Sequence, residues 1–430
     1  MNLASAPVTG VLALTGSAYL IVILILVVTR APLGSPLFFA AILVMQAAYI
    51  GMLARVWKKP DASRRLLYSA FALAVAFRTP LALAPVGSDN DMIRYLWDGR
   101  VQRLGYNPYL VLPSDPAMAH THTGETARMP SLRTTTPYPP AAQLFFRMVV
   151  GVKDSPLAMK LALVGCDLLT GLVLWRWLVA TGRNEWLTLT YAWSPLVILE
   201  VAHSGHMDAL GALWIVTSAY WLSRNRTMLS GVAFVLAVAS KLLPIVLLPL
   251  YWRRVRPRDV AFAAILLLAL FFRFSHQGSL TLGSVPNVVA HIRFNGPVFA
   301  AIAAQSAPQI AAIFALALGL AAAAIARWRL QADDPAAWAW PMALSLSCAP
   351  VVYPWYLLYL TPFLFVRATL PLTVWAFTSS AAYIVWYQAR HGGRWIVPGW
   401  VMALEYGIVI GAVAVLVALN SRARQHNLGV

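Results

Sequence analysis

The segment Ser240-Lys241-Leu242-Leu243-Pro244 interrupts an apolar run spanning residues 227–252, and the basic string Arg253-Arg254-Val255-Arg256-Pro257-Arg258 follows at once. An apolar run of this length can cross a hydrocarbon core about 30 Å thick. Read as one straight span, it would carry the arginines to the far side of the membrane, against the rule that basic loops stay on the cytoplasmic side. A lysine and a proline at mid-membrane offer another route. Pro244 removes a helical hydrogen bond, and a buried break is tolerated where it lines protein rather than lipid. Two readings therefore stand: a re-entrant hairpin of two half-helices that returns the arginines, or a kinked but complete helix that violates the charge rule.

The rest of the chain fits the same solvent. Of 430 residues, 60% are hydrophobic and 11% charged, where a soluble domain carries about 25% charged residues. Apolar runs recur from end to end, so the expected fold class is all-α: a polytopic transmembrane bundle of about 12–13 spans, forming a single integral-membrane domain. The first run, 8–29, lacks a basic leader and reads as a retained helix. The net charge of +18 sits mostly in short clusters between spans, which report orientation and give no reason to invoke nucleic acid. Arg55, Lys58, Lys59, Arg64 and Arg65 mark one cytoplasmic loop, and Arg224 with Arg226, Arg327 with Arg329, and Arg422 with Arg424 mark others. The two cysteines, Cys166 and Cys348, fall inside apolar runs and suggest neither a disulfide framework nor a zinc site. With the amino terminus inside, the third span, near 66–85, delivers an external loop over residues 86–155.

That loop opens with Asp89-Asn90-Asp91-Met92-Ile93-Arg94-Tyr95-Leu96-Trp97-Asp98-Gly99-Arg100, followed by Gly105-Tyr106-Asn107-Pro108-Tyr109. Asp91, Arg94 and Asp98 share one helical face, while Met92 with Leu96 and Ile93 with Trp97 pair on the other. The pattern predicts an amphipathic helix on the outer membrane surface with its polar face toward an enclosed cavity; a surface salt-bridge ladder is the alternative. Asp91 lies close to the hydrocarbon boundary, where partial desolvation raises a carboxylate's basicity and suits it to general-base work.

These residues resemble the first external loop of GT-C integral-membrane glycosyltransferases, especially glycosyltransferase family 87 and the polyprenyl-phosphate-mannose-dependent mannosyltransferases. Further segments are similar to that family's: Thr136-Pro137-Tyr138-Pro139-Pro140; Glu200, then Gly205-His206-Met207-Asp208; Lys241-Leu242-Leu243-Pro244; and Tyr353-Pro354-Trp355-Tyr356. The resemblance runs from about residue 78 to 356. Met207 stands where the family has asparagine, and Tyr353 where it has histidine, which removes a group able to carry positive charge at neutral pH. The resemblance implies a GT-C-like catalytic core over 66–366, with two extra spans at 1–65 and further spans and a cytoplasmic tail at 367–430. It also implies an inverting hexosyl transfer, mannose first, from a polyprenyl-phosphate sugar to a glycolipid or lipid-linked glycan, with no cofactor and no metal, at the external or periplasmic membrane face; the absence of retention or transit signals points to the plasma (inner) membrane.

By that resemblance Asp91 matches the catalytic base. Substrate-binding candidates are Asp89, Arg94, Tyr95, Asp98, Asn107, Tyr109, Tyr138, Glu200, His206, Asp208, Lys241, His291, Arg293, Tyr353 and Trp355. Asp89 and Asp91 form an Asp-x-Asp pair able in principle to hold a divalent cation, but a lipid-borne phosphate can be neutralised by fixed cations. Arg94, Lys241, His206, and His291 with Arg293 in residues 275–298 are the candidates for that charge. A lysine inside an apolar run needs a partner; the phosphate is one, and snorkelling or a carboxylate such as Asp167 are others. His203, His206 and Asp208 can also form a satisfied polar cluster, and His120 with His122 reads as loop. The tryptophans read as interface anchors, with Trp97 and Trp355 the exceptions inside the resembling segments. A transporter or flippase of lipid-linked sugars is the competing function, since broken helices and intramembrane charges also describe transport sites. Against it stand the carboxylate on an external helix and the lack of repeated halves.

Overall fold

A computed structural model describes residues 7–86, 91–277 and 282–427, with side chains described through residue 421. Its elements are helical, and the β-type pairing among the described residues is an isolated bridge between Phe294 and Val351. The first six helices are α1 (Val8–Thr29), α2 (Pro36–Val56), α3 (Arg64–Leu83), α4 (Asp91–Arg103), α5 (Pro140–Val152) and α6 (Pro156–Ala180). Among the described residues, seven helical segments are individually long and apolar enough to cross a membrane: α1, α2, α3, α6, Pro308–Arg329, Arg367–Arg390 and Gly399–Ser421. The chain is an integral-membrane helical bundle. Other expected spans are built from shorter pieces, such as Asp208–Ser223, Thr227–Ser240 and Pro335–Ser347.

Helix starts are written into the sequence. Ser35 and Ser155 each accept a hydrogen bond from a backbone N–H of the first turn, and each is followed by a proline at the first helical position. Asp334 caps Pro335–Ser347 in the same way.

The 227–252 run is a hairpin. Helix Thr227–Ser240 stops at Lys241, whose backbone is extended (φ −158°, ψ 142°), and a tighter 3₁₀ stretch, Leu243–Tyr251, leads away. That second arm returns beside the first: the Tyr251 phenol meets Ser218 Oγ, Ser218 and Ser230 exchange hydrogen bonds, and the Tyr251 ring packs 4.7 Å from Phe234. The arginines accordingly come back to the end from which the run started. Thr227 donates to Asp259, Arg254 donates to Leu330 O at 2.7 Å, and Arg327 donates to Trp252 O at 2.6 Å. Arg64 with Glu185, Arg183 with Asp333, and Asn184 with Val56 O lie in loops of the same set. Helix Pro257–Phe272 then runs back, and Phe274 O accepts from Asn107 in the loop after α4. The kinked-span reading is thereby set aside.

Helices α1 and α2 dock on the segment 190–193. Tyr19 donates to Trp193 O at 2.7 Å, Tyr49 donates to Thr190 O, and the Trp193 indole donates to Ala70 O in α3. Under them, Arg78 of α3 forks onto both oxygens of Asp167 in α6 and also donates to Ala192 O at 2.9 Å. Asp167, a candidate partner for Lys241, is thus taken by Arg78. Both side chains are almost wholly buried, and removing one partner of such a pair costs about 3–5 kcal/mol, while replacing both by apolar groups is often neutral. Arg78→Met should therefore lower thermal stability in detergent sharply, and Arg78→Met with Asp167→Leu should recover most of it; equal melting temperatures for the single variant and wild type would contradict this.

Candidate active site

Helix α4 is more deeply buried than its sequence pattern predicts. Residues Met92 to Gly99 are all buried, including Arg94 and Asp98 on the polar face, so the helix does not lie along a surface. It is roofed by residues 113–136: the Trp97 indole donates to Thr121 Oγ1 at 2.8 Å and stacks on His122, whose Nε2 lies 2.8 Å from Pro113 O. The periodicity was amphipathic because the polar face meets a polar loop instead of water. Gly99 lets α5 approach, since a Cβ there would stand 2.6 Å from Phe146 O.

Asp98 is the hub of that polar face. Its Oδ1 accepts from Arg94 Nε at 2.7 Å, and its Oδ2 accepts from Thr136 Oγ1 at 2.6 Å and Gln143 Nε2 at 2.8 Å. Arg94 also donates to Ser131 O and Thr134 O. The pair therefore fixes residues 131–143 against α4, and the burial makes it more than a surface ladder. Its bonds commit Arg94 to that loop, although Nη2 has no hydrogen-bond partner among the described residues. Asp98→Ala strands a buried guanidinium, a change costing about 3–5 kcal/mol. Faster proteolytic cleavage within residues 131–138 is the expected outcome, and an unchanged digestion pattern would argue against this role.

Behind α4, Lys160 of α6 is 1% exposed and donates to Leu81 O at 2.6 Å and Ala84 O at 2.9 Å, capping the carboxy-terminal end of α3. The same side chain underlies Gly205, where a Cβ would come 3.4 Å from Lys160 Cγ and 2.9 Å from Met92 Sδ, and whose φ of +72° favours glycine. Sequence reasoning missed Lys160. Its signal was the one that singled out Lys241: a cation early in an apolar helix.

A π-helical turn, Ile198–His203, precedes Gly205 and turns Glu200 inward. Glu200 accepts from the Tyr383 phenol, and its Oε2 stands 3.5 Å from His206 Nε2 with no hydrogen-bond partner among the described residues. His206 stacks on Trp355 (3.9 Å between ring centres, 9° between planes), and Trp355 stacks on Tyr353 (4.3 Å, 6°). Burial pushes the Tyr353 phenol up to about 12, helped by the charge of Asp91, so it remains a neutral hydrogen-bonding group at physiological pH.

Lys241, at the hairpin break, binds Asp208 at the start of helix Asp208–Ser223, and its Nζ lies 3.4 Å from the centre of the Tyr356 ring. Asp208, not Asp167, is the carboxylate partner. The Asp208 side chain is 2% exposed and that of Lys241 is 24% exposed, so the cation alone of the two still reaches outward. Half-buried Asp91 lies within Coulombic reach of Lys241, Tyr95, Tyr138, Tyr353 and Tyr356. Segments far apart in sequence thus converge on the first residue of α4. Tyr95 packs flat on Phe146 at 4.6 Å and edge-on to Tyr138 at 5.0 Å. Tyr109 donates to Tyr138 O at 2.6 Å, and Asn107 accepts from Tyr109 N, closing the turn over the site.

Beside Lys241 a narrow apolar cleft is lined by Leu242, Phe271, Tyr109, Pro137, Tyr138 and Pro139, among others. His291 and Arg293 are engaged elsewhere: His291 is exposed and bonds Asn287, and Arg293 caps its own helix through Val289 O and Ala290 O and lies over Phe299. Asp89 lies outside the described residues. Among the described residues no three His, Cys, Asp or Glu side chains form a group that could hold a metal ion.

The model of the MptA_B family, alpha-(1->6)-mannopyranosyltransferase, N-terminal domain, matches residues 3–255. The chain belongs to this mannosyltransferase family. The match takes in α1 and α2, which the motif resemblance left uncovered, together with Asp91, Glu200, His206, Asp208 and Lys241; it stops short of Tyr353 and Trp355. Membership agrees with the GT-C-like resemblance and identifies an integral-membrane glycosyltransferase. Comparison with curated proteins and with solved structures gives no match.

Proposed function

We propose that the protein is an inverting mannosyltransferase that moves the sugar from a polyprenyl phosphate to a glycolipid or lipid-linked glycan at the external membrane face. One observation carries this reading: Asp91 begins α4 one turn before Tyr95, whose hydroxyl accepts from Met207 N beside the Asp208–Lys241 pair, and Leu242, next to that lysine, lines an apolar cleft. A carboxylate, a partly accessible cation and an apolar slot are what a sugar joined to a lipid through phosphate requires.

In the proposed reaction Asp91 takes the proton of the acceptor hydroxyl as its oxygen bonds to the anomeric carbon. The bond from that carbon to the phosphate oxygen breaks, and the polyprenyl phosphate leaves with the electron pair. Lys241 offsets the charge developing on that oxygen. The stack of His206, Trp355 and Tyr353 forms an aromatic wall that excludes water, and the prenyl chain lies in the cleft at Leu242 and Phe271. Arg94 and Asp98 hold the loop carrying Tyr138 instead of touching the phosphate. Family membership supports mannose.

Transfer and transport are separated by one assay. Purified protein in proteoliposomes receives radiolabelled polyprenyl-phosphate mannose and a membrane glycolipid extract; release of polyprenyl phosphate with label in the glycolipid fraction is expected. Movement of the intact donor across the bilayer without cleavage would support the flippase instead.

A further inference from the structure

At the end of the bundle opposite Lys241, two segments far apart in sequence bring arginines together. The second arm of the hairpin, Leu243–Tyr251, runs into Arg253, Arg254, Arg256 and Arg258, and helix Pro308–Arg329 ends on Arg327 and Arg329. The two elements pack closely: a Cβ at Gly319 would stand 2.8 Å from Val246 Cγ1. Their ends are then tied crosswise, with Arg327 Nε donating to Trp252 O at 2.6 Å and Arg254 Nη2 donating to Leu330 O at 2.7 Å.

Those carbonyls satisfy donors but carry no net negative charge. Among the described residues, neither Arg254 nor Arg327 has a carboxylate within salt-bridge distance. Asp333, within electrostatic reach of Arg254, lies 3.7 Å from Arg183, and Asp259 is buried against Thr227 and Arg258. Arg254 is half-buried, and burial together with the like charge of Arg327 lowers its pKa from the ordinary value. Two cations held side by side at a partly desolvated edge are unfavourable until an anion joins them. Charge that served only to set orientation would not need to be tied in place.

The surroundings say which kind of anion. Trp252 and Trp328 are 65% and 83% exposed, beside the ends of membrane-embedded elements, where indoles sit at the level of lipid headgroups. One turn earlier on the same two elements Leu248 and Ile325 are also exposed. A free phosphate gains nothing from apolar surface, whereas an acyl chain does.

We infer that Arg254 and Arg327 bind the phosphate of an anionic glycerophospholipid, with Arg253, Arg256 and Arg329 adding attraction and the acyl chains running along Leu248 and Ile325. The bound lipid braces the far end of the hairpin that carries Lys241. The inference does not depend on the donor proposed above.

Full-length protein in a mild detergent would be titrated with phosphatidylglycerol or phosphatidylcholine, and bound lipid counted by native mass spectrometry. The expected result is phosphatidylglycerol bound about tenfold more tightly than phosphatidylcholine. That preference should be lost in Arg254→Gln with Arg327→Gln and kept in Lys58→Gln with Lys59→Gln, which removes the same charge from exposed positions in another loop. Equal affinity for the two lipids would overturn the inference, as would a preference that survives the arginine variant. An equal loss in both double variants would also overturn it, since the preference would then belong to the general field of the protein. Excess glycerol 3-phosphate should leave bound phosphatidylglycerol in place, and displacement by it would overturn the assignment to a lipid. The comparison of the two lipids uses the wild-type protein, so the test stands even if the arginine variant does not fold.

Discussion

Asp91→Asn is expected to reduce mannosyl transfer by about 10²–10⁴-fold, the range a positioned general base contributes, with melting temperature and detergent behaviour close to wild type. The substitution keeps the shape of the side chain and removes its ability to take a proton. Asp91 stands at the first turn of α4, ahead of the buried residues Met92 to Gly99 that anchor the helix, and asparagine keeps a hydrogen-bonding oxygen there. The loss should appear in kcat more than in KM, since the base acts as the acceptor oxygen attacks. Asp89→Asn, two residues earlier, should leave most activity intact. The reverse pattern would move the base to Asp89.

The second large effect concerns Lys241. Lys241→Met should lower kcat/KM for a polyprenyl-phosphate donor by about 10²–10³-fold, comparable to removing one fixed stabiliser of developing negative charge. It should also destabilise the protein, because Asp208 is left buried without its partner. The two consequences can be separated. In Lys241→Met combined with Asp208→Leu the buried pair is replaced by apolar groups, an exchange that is often neutral for stability. Melting temperature should then recover while activity remains low. If activity returned with stability, the lysine would be a structural partner of Asp208 and nothing more.

The bundle was legible in the sequence because lipid imposes a simple rule: long apolar runs with basic ends. The hairpin at Lys241 was legible as a conflict between that rule and the arginines at 253–258, and the return of Tyr251 beside Ser218 and Phe234 resolves it. Resemblance to the family's segments brought Asp91, Glu200, His206, Asp208 and Lys241 into view, though not who pairs with whom. The partner of Lys241 is a carboxylate at the start of a different helix, and the claim of Arg78 on Asp167 depends on how α3 crosses α6. Local periodicity cannot report such crossings. It also misjudged α4, whose polar face is covered by residues 113–136, a loop with little pattern of its own. Tyr383 gave no signal, since a tyrosine in an apolar run is unremarkable until Glu200 is seen beside it. His291 and Arg293 were drawn in by charge alone, and their own helix satisfies them.

The most direct test of the central claim is the choice of donor. Purified protein with a membrane glycolipid extract would be offered radiolabelled polyprenyl-phosphate mannose or a nucleoside-diphosphate mannose, each with and without a chelator. Transfer from the lipid-linked donor, unaffected by the chelator and about 10²–10³-fold weaker in Lys241→Met with Asp208→Leu, is the predicted result; transfer from the nucleotide sugar alone would contradict a site built from Asp91, Lys241 and the cleft at Leu242.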